Sequence, residues 1–142
     1  MAKPDPALLD PARYPRALTV LPRYADLDTN VHLNNVALGA MFEDARARCM
    51  DVIAPGAGRD LALMLASYSV QFISQGAWPD PLQFHAGLLR IGTSSLEVVQ
   101  LAMQKDRPVA LATTVVVLTD GTRPTPFPQD WRASLGALML RP

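Results

Sequence analysis

The chain has 142 residues, enough for one domain with a true interior, and with 49% apolar and 18% charged residues it does not read as a disordered chain. Thirteen basic and thirteen acidic residues cancel, with no run of Lys or Arg, so a phosphate-reading nucleic-acid surface is not expected. Cys49, the one cysteine, rules out an internal disulfide and a cysteine-built metal site; the start Met1–Pro6 lacks a signal peptide's apolar core, and the longest apolar run, Leu61 to Ala66, is too short to cross a bilayer, so a cytoplasmic protein with no membrane partner is expected.

Residues 1–16 carry four prolines and no periodicity, and read as an extended arm. A strand is predicted from Ala17 to Arg23, with β-type composition up to Leu21 and Pro22 suiting a strand end or sheet edge. A polar loop follows. Within Asp26 to Asn35 stand two carboxylates, an imidazole and three carboxamides, the densest cluster of chemically able side chains in the chain. The long helix predicted next, Val36 to Ile53, places Leu38, Met41, Phe42, Ala45, Cys49, Val52 and Ile53 at helical spacing. Asn34 or Asn35 is its natural N-cap and Pro55-Gly56 its stop. Small residues at Ala37, Gly39, Ala40, Ala45 and Ala47 allow close approach by a wrapping sheet.

The remainder is β-rich. Strands are expected at Leu63–Gln75, Leu82–Ile91, Ser95–Gln104 and Val109–Thr119, joined as successive antiparallel hairpins, with Lys105–Pro108 as one hairpin loop. Residues 120–142 form a proline-rich tail with a short helix at Gln129–Leu135. The sum is a single α+β domain over residues 1–142: one amphipathic helix against one curled antiparallel sheet of about five strands. With only 6% aromatics, aliphatic packing must fill the core, and so apolar a small domain is expected to hide surface in an oligomer.

The D-x-N-x-H-x-N-N pattern of Asp28, Asn30, His32, Asn34 and Asn35, set at a strand-to-helix junction, resembles the acyl-ACP thioesterases and bacterial acyl-CoA thioesterases of the hotdog fold. Phe42-Glu43-Asp44-Ala45-Arg46 is similar to the E-x-A-R signature of the 4-hydroxybenzoyl-CoA thioesterase-like branch. The resemblance runs from about Ala17 to Leu135 and implies a hydrolase of acyl-CoA or acyl-ACP that needs no metal or cofactor. It also implies homodimers whose sheets join, often paired into tetramers, with the acyl chain beside the helix. Residue by residue, it implies Asp28 as the reacting carboxylate, with Asn30 and His32 as its partners. The chain departs from relatives in three places: Asn35 replaces the His of one bacterial branch, Ser74-Gln75-Gly76 offers an amide where plant enzymes use a carboxylate, and Leu38 replaces a common Tyr.

Thioester hydrolysis needs a carboxylate nucleophile or an activated water, and donors for the developing oxyanion. Asp28 can supply the first; amides at the helix start, near Asn35 and Val36, with the helix dipole behind them, can supply the second. Structural roles stand beside these: an Asx turn for Asp26, Asp28 and Asn30, a satisfied structural histidine for His32, and a helix cap for Asn34. Glu43, nine residues past Asn34, competes as the carboxylate, because another hotdog branch carries its acid on the central helix; otherwise it is a surface acid paired with Arg46 or Arg48. Cys49 on the apolar stripe is expected to be buried and inert, and His85 structural or interfacial. A non-catalytic acyl-binding module and a hotdog hydratase, pairing His32 with Glu43, are the rival functions.

Overall fold

A computed structural model of the protein describes residues 3–50 and 60–142. Among the described residues stand five strands and two α-helices: β1 (Arg16–Val20), α1 (Asn35–Met50), β2 (Ala62–Phe72), β3 (Leu82–Ile91), β4 (Ser95–Gln104), β5 (Arg107–Thr119) and α2 (Gln129–Leu135). The strands form one antiparallel sheet in the order β1-β3-β4-β5-β2. The expected α+β architecture is present, with elements starting or ending up to three residues from the predicted positions. The end of the predicted helix, residues 51–53, and its Pro55-Gly56 stop lie outside the described residues.

The connectivity differs from four successive hairpins. β3, β4 and β5 are hairpin-linked, but β2 pairs with β5 at the far edge rather than with β3. Residues 73–81 therefore cross the end of the sheet. Buried Gln104 holds that crossing: its amide donates to the Ala77 and Asp80 carbonyls at 2.8 and 2.9 Å and accepts from the Ala77 N–H at 2.9 Å. The β4–β5 turn is tighter than predicted. Lys105 and Asp106 take φ of 50° and 60°, as a two-residue hairpin turn matched to strand twist requires.

α1 lies on one face of the sheet. Leu38, Phe42 and Ala45 pack against Leu82, Phe84, Ala102, Ala110 and Ala112, with the Phe42 and Phe84 rings edge-on at 5.0 Å. The small sheet residues at 102, 110 and 112 let the helix sit close. Further along the same face, Met50 meets Leu88, Leu96, Val98 and Val116, which α2 caps with Trp131 and Leu135. Gln100, fully buried, donates to the Phe42 carbonyl at 2.9 Å.

The opposite face is closed by the two chain ends. The arm is not simply extended: it forms two 3-10 turns, Pro6–Leu9 and Pro11–Arg13, each started by an aspartate that accepts a backbone N–H. It delivers Tyr14 onto Val99, Leu101 and Leu111. The tail is ordered as well. Met139 bridges Leu88 in parallel, and Arg141 exchanges main-chain and side-chain hydrogen bonds with Arg13. β3 is thus flanked by β1 along one half and by the tail along the other.

Candidate active site

The polar loop between β1 and α1 is built on Asp26. Its buried carboxylate accepts from the Arg23 N–H at 2.8 Å and from the Arg23 guanidinium at 2.9 Å. The Arg23 hydrogen bond holds the Asp26 carboxyl below the usual carboxylate range, against the opposing effect of desolvation. Asp26 is thus a structural acid, as expected for the first of the two aspartates. Leu27 and Leu33 then pair across the loop, the Asp28 N–H donates to the His32 carbonyl at 2.8 Å, and the chain reverses in the residues between.

Asp28 Oδ1 accepts from the Asn30 and His32 N–H groups at 2.9 and 3.2 Å. This is the Asx-type geometry anticipated as the structural reading, and it uses one of two carboxylate oxygens. It also holds Val31 at φ 63°, a left-handed conformation that costs a β-branched residue about 1–3 kcal/mol. Asp28, Asn30 and His32 are therefore brought together through the main chain, in a loop strained at its tip. Asp28 and His32 are half-buried; Asn30 is exposed.

Asn34 settles the helix cap. Its Oδ1 accepts from the Val36 N–H at 2.7 Å, and its carbonyl takes the Leu38 N–H at 2.9 Å. The Val36 amide, expected to be free for an oxyanion, is thus occupied. Among the described residues the Asn35 and Ala37 N–H groups carry no such bond. Glu43 stands eight residues beyond Asn35, about 12 Å along the axis, and is not gathered with the loop. Its exposed carboxylate lies 4.0 Å from the Arg46 guanidinium, while Arg48 pairs with Asp44 at 2.9 Å.

A cavity of about 310 Å³ opens at the start of α1, walled by Asn35 and Leu38 from the helix, Leu33 from the loop and Phe72 to Gly76 from the end of β2. Gly76 is needed there. A Cβ would fall 2.6 Å from Leu33 Cδ1, on a backbone whose carbonyl accepts the Leu33 N–H at 2.9 Å. Arg107 donates to Ser74 Oγ and to the Gln75 carbonyl, fixing this wall. Lys105 pairs with Asp80 at 3.1 Å.

A second cavity, of about 490 Å³, lies between the later turns of α1 and the start of β2; Glu43, Arg46 and Met50 share it with Leu63, Leu65 and Val98. Tyr68 of β2 sits against Gly39, its hydroxyl 3.8 Å from where a Cβ there would lie. Burial raises its pKa, with Arg46 opposing and Glu43 adding to the shift. Nothing in the sequence marks that neighbourhood, because it depends on β2 lying beside α1. A wider groove of about 730 Å³ on the β1 flank is lined by Leu21, Val36, Ala37 and Met41, and its Asp26 is the acid already held by Arg23.

Cys49 is buried and its thiol is pushed up by desolvation, fitting an inert side chain. His85 is half-buried with its ring 6.0 Å from Tyr14, and burial lowers its pKa. Among the described residues no three His, Cys, Asp or Glu side chains are grouped to hold a metal ion, and no helix is long and apolar enough to cross a membrane.

The model of the thioesterase-like superfamily matches residues 22–135. Among solved structures, a thioesterase from Thermus thermophilus complexed with coenzyme A and zinc is 28% identical, with a TM-score of 0.81, covering 92% of this chain and 98% of that one. A predicted thioesterase from Bacillus stearothermophilus is 24% identical, with a TM-score of 0.79 over 89% of this chain and 97% of its own. A Staphylococcus aureus protein in complex with CoA, at 12% identity and a TM-score of 0.82, covers 89% of this chain and 85% of its own; these last two speak to the fold. No curated protein matches in sequence. With four-fifths of its length inside the family match and its sheet and helix arranged as in these structures, the chain belongs to the thioesterase-like superfamily and has the hotdog fold.

Proposed function

We propose that the protein hydrolyses acyl thioesters of coenzyme A or of acyl carrier protein, with Asp28 as the reacting carboxylate. The observation that carries this reading is the loop of residues 26–34 running into the first turn of α1, tied there by the Asn34 N–H on the Asp26 carbonyl at 2.8 Å and the Leu38 N–H on the Asn34 carbonyl at 2.9 Å. Two backbone amides hold Oδ1 and so orient the carboxylate, leaving Oδ2 with no hydrogen bond to another described residue. The Asn35 and Ala37 N–H groups at the helix start are donors for a carbonyl oxygen becoming negative, and the dipole favours that charge. Asp28 either adds to the thioester carbon, expelling the thiolate and leaving an anhydride for water to cleave, or takes a proton from the attacking water. In this reading Asn30 and His32, whose main-chain amides hold Oδ1, position the water, and Asn35 faces the substrate from the cavity wall. The family match supports the thioester class, and the CoA complexes of two structural relatives favour CoA over the protein carrier.

The protein acts as a homodimer in this reading. β2 ends the sheet with eleven residues whose outer edge meets no other strand among the described residues, and it exposes Met64, Leu65, Tyr68 and Phe72. A long apolar edge is a template for pairing with a second copy. Such pairing places the partner's chain beside the cavity that follows β2, and two dimers can associate further into a tetramer.

Thiol release measured over a panel of acyl-CoA and acyl-ACP thioesters tests the assignment. Turnover that Asp28→Asn abolishes and Glu43→Gln spares is the expected result. Loss with Glu43→Gln alone transfers the role to the helix acid, and tight binding without turnover in the native protein leaves an acyl-binding module. Light scattering of native protein and Met64→Lys checks the dimer, which the lysine should dissociate.

A further inference from the structure

We propose that Tyr24 and Trp78 form a platform on which the adenine of coenzyme A stacks, with Arg23 and Lys105 beside it for the phosphates, so that these residues select CoA over a protein carrier; this rests on the thioesterase reading above. Tyr24 is 72% and Trp78 44% exposed, and neither belongs to the buried clusters of the domain. Their rings meet edge to face, with centroids 5.4 Å apart and planes at 85°. Two ring faces at right angles make a corner. A planar base fits such a corner by stacking on one wall and setting its edge against the other.

Both rings stand on fixed supports. Tyr24 opens the 3-10 turn Tyr24–Asp26; its carbonyl accepts the Leu27 N–H at 3.2 Å, and Arg23 clamps the Asp26 carboxylate. Trp78 lies in the crossing at the end of the sheet, between Ala77 and Asp80, and Gln104 holds those two with three hydrogen bonds. The ordering that a binding surface requires is therefore already supplied by the fold. A lone exposed aromatic needs no explanation. Two rings held on separate segments, paired with each other and left open to solvent, call for one.

The charges beside the pair suit a nucleotide. The exposed Arg23 side chain covers the buried Asp26. Its Nε and Nη2 bond that carboxylate, and Nη1 has no hydrogen bond to another described residue. Asp80, two residues beyond Trp78, pairs with the exposed Lys105 at 3.1 Å, and an ammonium carries three donors. A guanidinium and an ammonium with donors to offer, one next to each ring in the chain, are the groups that phosphates seek.

The platform is also within reach of the reacting carboxylate. Tyr24 precedes Asp28 by four residues, so their Cα atoms are at most about 14 Å apart. Trp78 is two residues past Gly76, whose carbonyl accepts the Leu33 N–H of the same loop at 2.9 Å. From its sulfur to its phosphate ester, the pantetheine arm of CoA has about as many bonds as four peptide residues, and so a similar extended length. A thioester at Asp28 can thus set its nucleotide in the aromatic corner. An acyl carrier protein presents the same arm without adenine, and gains nothing there.

The test compares an acyl-CoA with the S-acyl-pantetheine and the acyl-ACP of the same acyl group, read as kcat/KM on the native protein, Tyr24→Leu, Trp78→Leu, Tyr24→Phe and Trp78→Phe. Adenosine 3′,5′-bisphosphate, the nucleotide without the arm, is titrated in parallel by calorimetry and by tryptophan fluorescence. Trp131 is buried, so Trp78 is the tryptophan a ligand can touch. Native protein should prefer the CoA substrate over the pantetheine one by about fivefold or more, the lower end of what stacking one base contributes. Each leucine variant should bring that ratio toward one and weaken nucleotide binding, while each phenylalanine variant should keep both, which separates loss of a ring from misfolding. The nucleotide should quench the native fluorescence and leave that of Trp78→Phe unchanged. A native ratio near one, no nucleotide binding, nucleotide binding that no variant alters, or leucine variants that lose CoA and pantetheine substrates alike would overturn the proposal. So would leucine variants that lose acyl-ACP turnover alone, which would make the corner a dock for the carrier protein. Nucleotide bound through Trp78 with no hydrolysis of any thioester would keep the platform and sink the hydrolase reading instead.

Discussion

The two flanks of α1 differ in how they are used. The flank toward β3 and β4 is closed: Leu38, Phe42, Ala45 and Cys49 are each 8% exposed or less, and Phe42 takes an extra hydrogen bond from Gln100. The flank toward β2 is open, with Asn35 lining the 310 Å³ cavity and Glu43 and Arg46 lining the 490 Å³ one. One helix thus carries the stability of the domain on one side and the proposed chemistry on the other. Side chains on the closed flank should change the folding equilibrium, and residues of the loop and open flank should change substrate handling.

The largest expected effect lies on the closed flank. Phe42→Ala removes a fully buried ring in contact with Phe84 and should destabilise the domain by about 3–5 kcal/mol in denaturant melts. Asp28→Asn is the converse. Asparagine keeps Oδ1 as an acceptor for the Asn30 and His32 amides but removes the charge. We expect at least a hundredfold loss in kcat/KM, about 2.7 kcal/mol, with stability within about 0.5 kcal/mol of native. A large shift in the melt would mean that the loop carboxylate is structural and would erase the contrast.

Asp26 sharpens the comparison within the loop. Its folded-state pKa lies below the unfolded value, mainly through the Arg23 hydrogen bond. The stability it contributes is therefore present at neutral pH, above the unfolded pKa, and is lost as pH falls through the lowered folded value. Asp26→Asn should cost about 1–3 kcal/mol at pH 7 and flatten the acid limb of the stability–pH curve. The smallest effect belongs to the cap: Asn34→Ala frees the Val36 N–H and should cost about 1 kcal/mol in thermal melts, with Asn34→Asp close to native.

Much of this was legible in the residues. The period of Leu38, Phe42, Ala45 and Cys49 marks the helix and its buried face, and the β-branched run Thr113 to Val117 marks a strand. The structural role of Asp26 and a cap at Asn34 also follow from short-range chemistry, in which each side chain bonds a backbone group within three residues. The order of the strands was not legible. β2 joins β5 at sequence separations of 38 to 57 residues, and no local signal distinguishes that pairing from a hairpin with β3. The ordered chain ends were equally hidden, because Tyr14 and Leu140 find their partners on the sheet's outer face only once the sheet exists.

By itself the sequence determined the local elements and the polar loop, because periodicity, capping and Asx chemistry act over a few residues and depend on nothing distant. Tertiary structure alone decided what stands beside that loop: Ser74–Gly76 at the helix start, Tyr68 against Gly39, and Arg107 drawn away from solvent to hold the wall. Those neighbours are set by how a curled sheet closes around one helix, a long-range packing solution that no stretch of residues encodes alone.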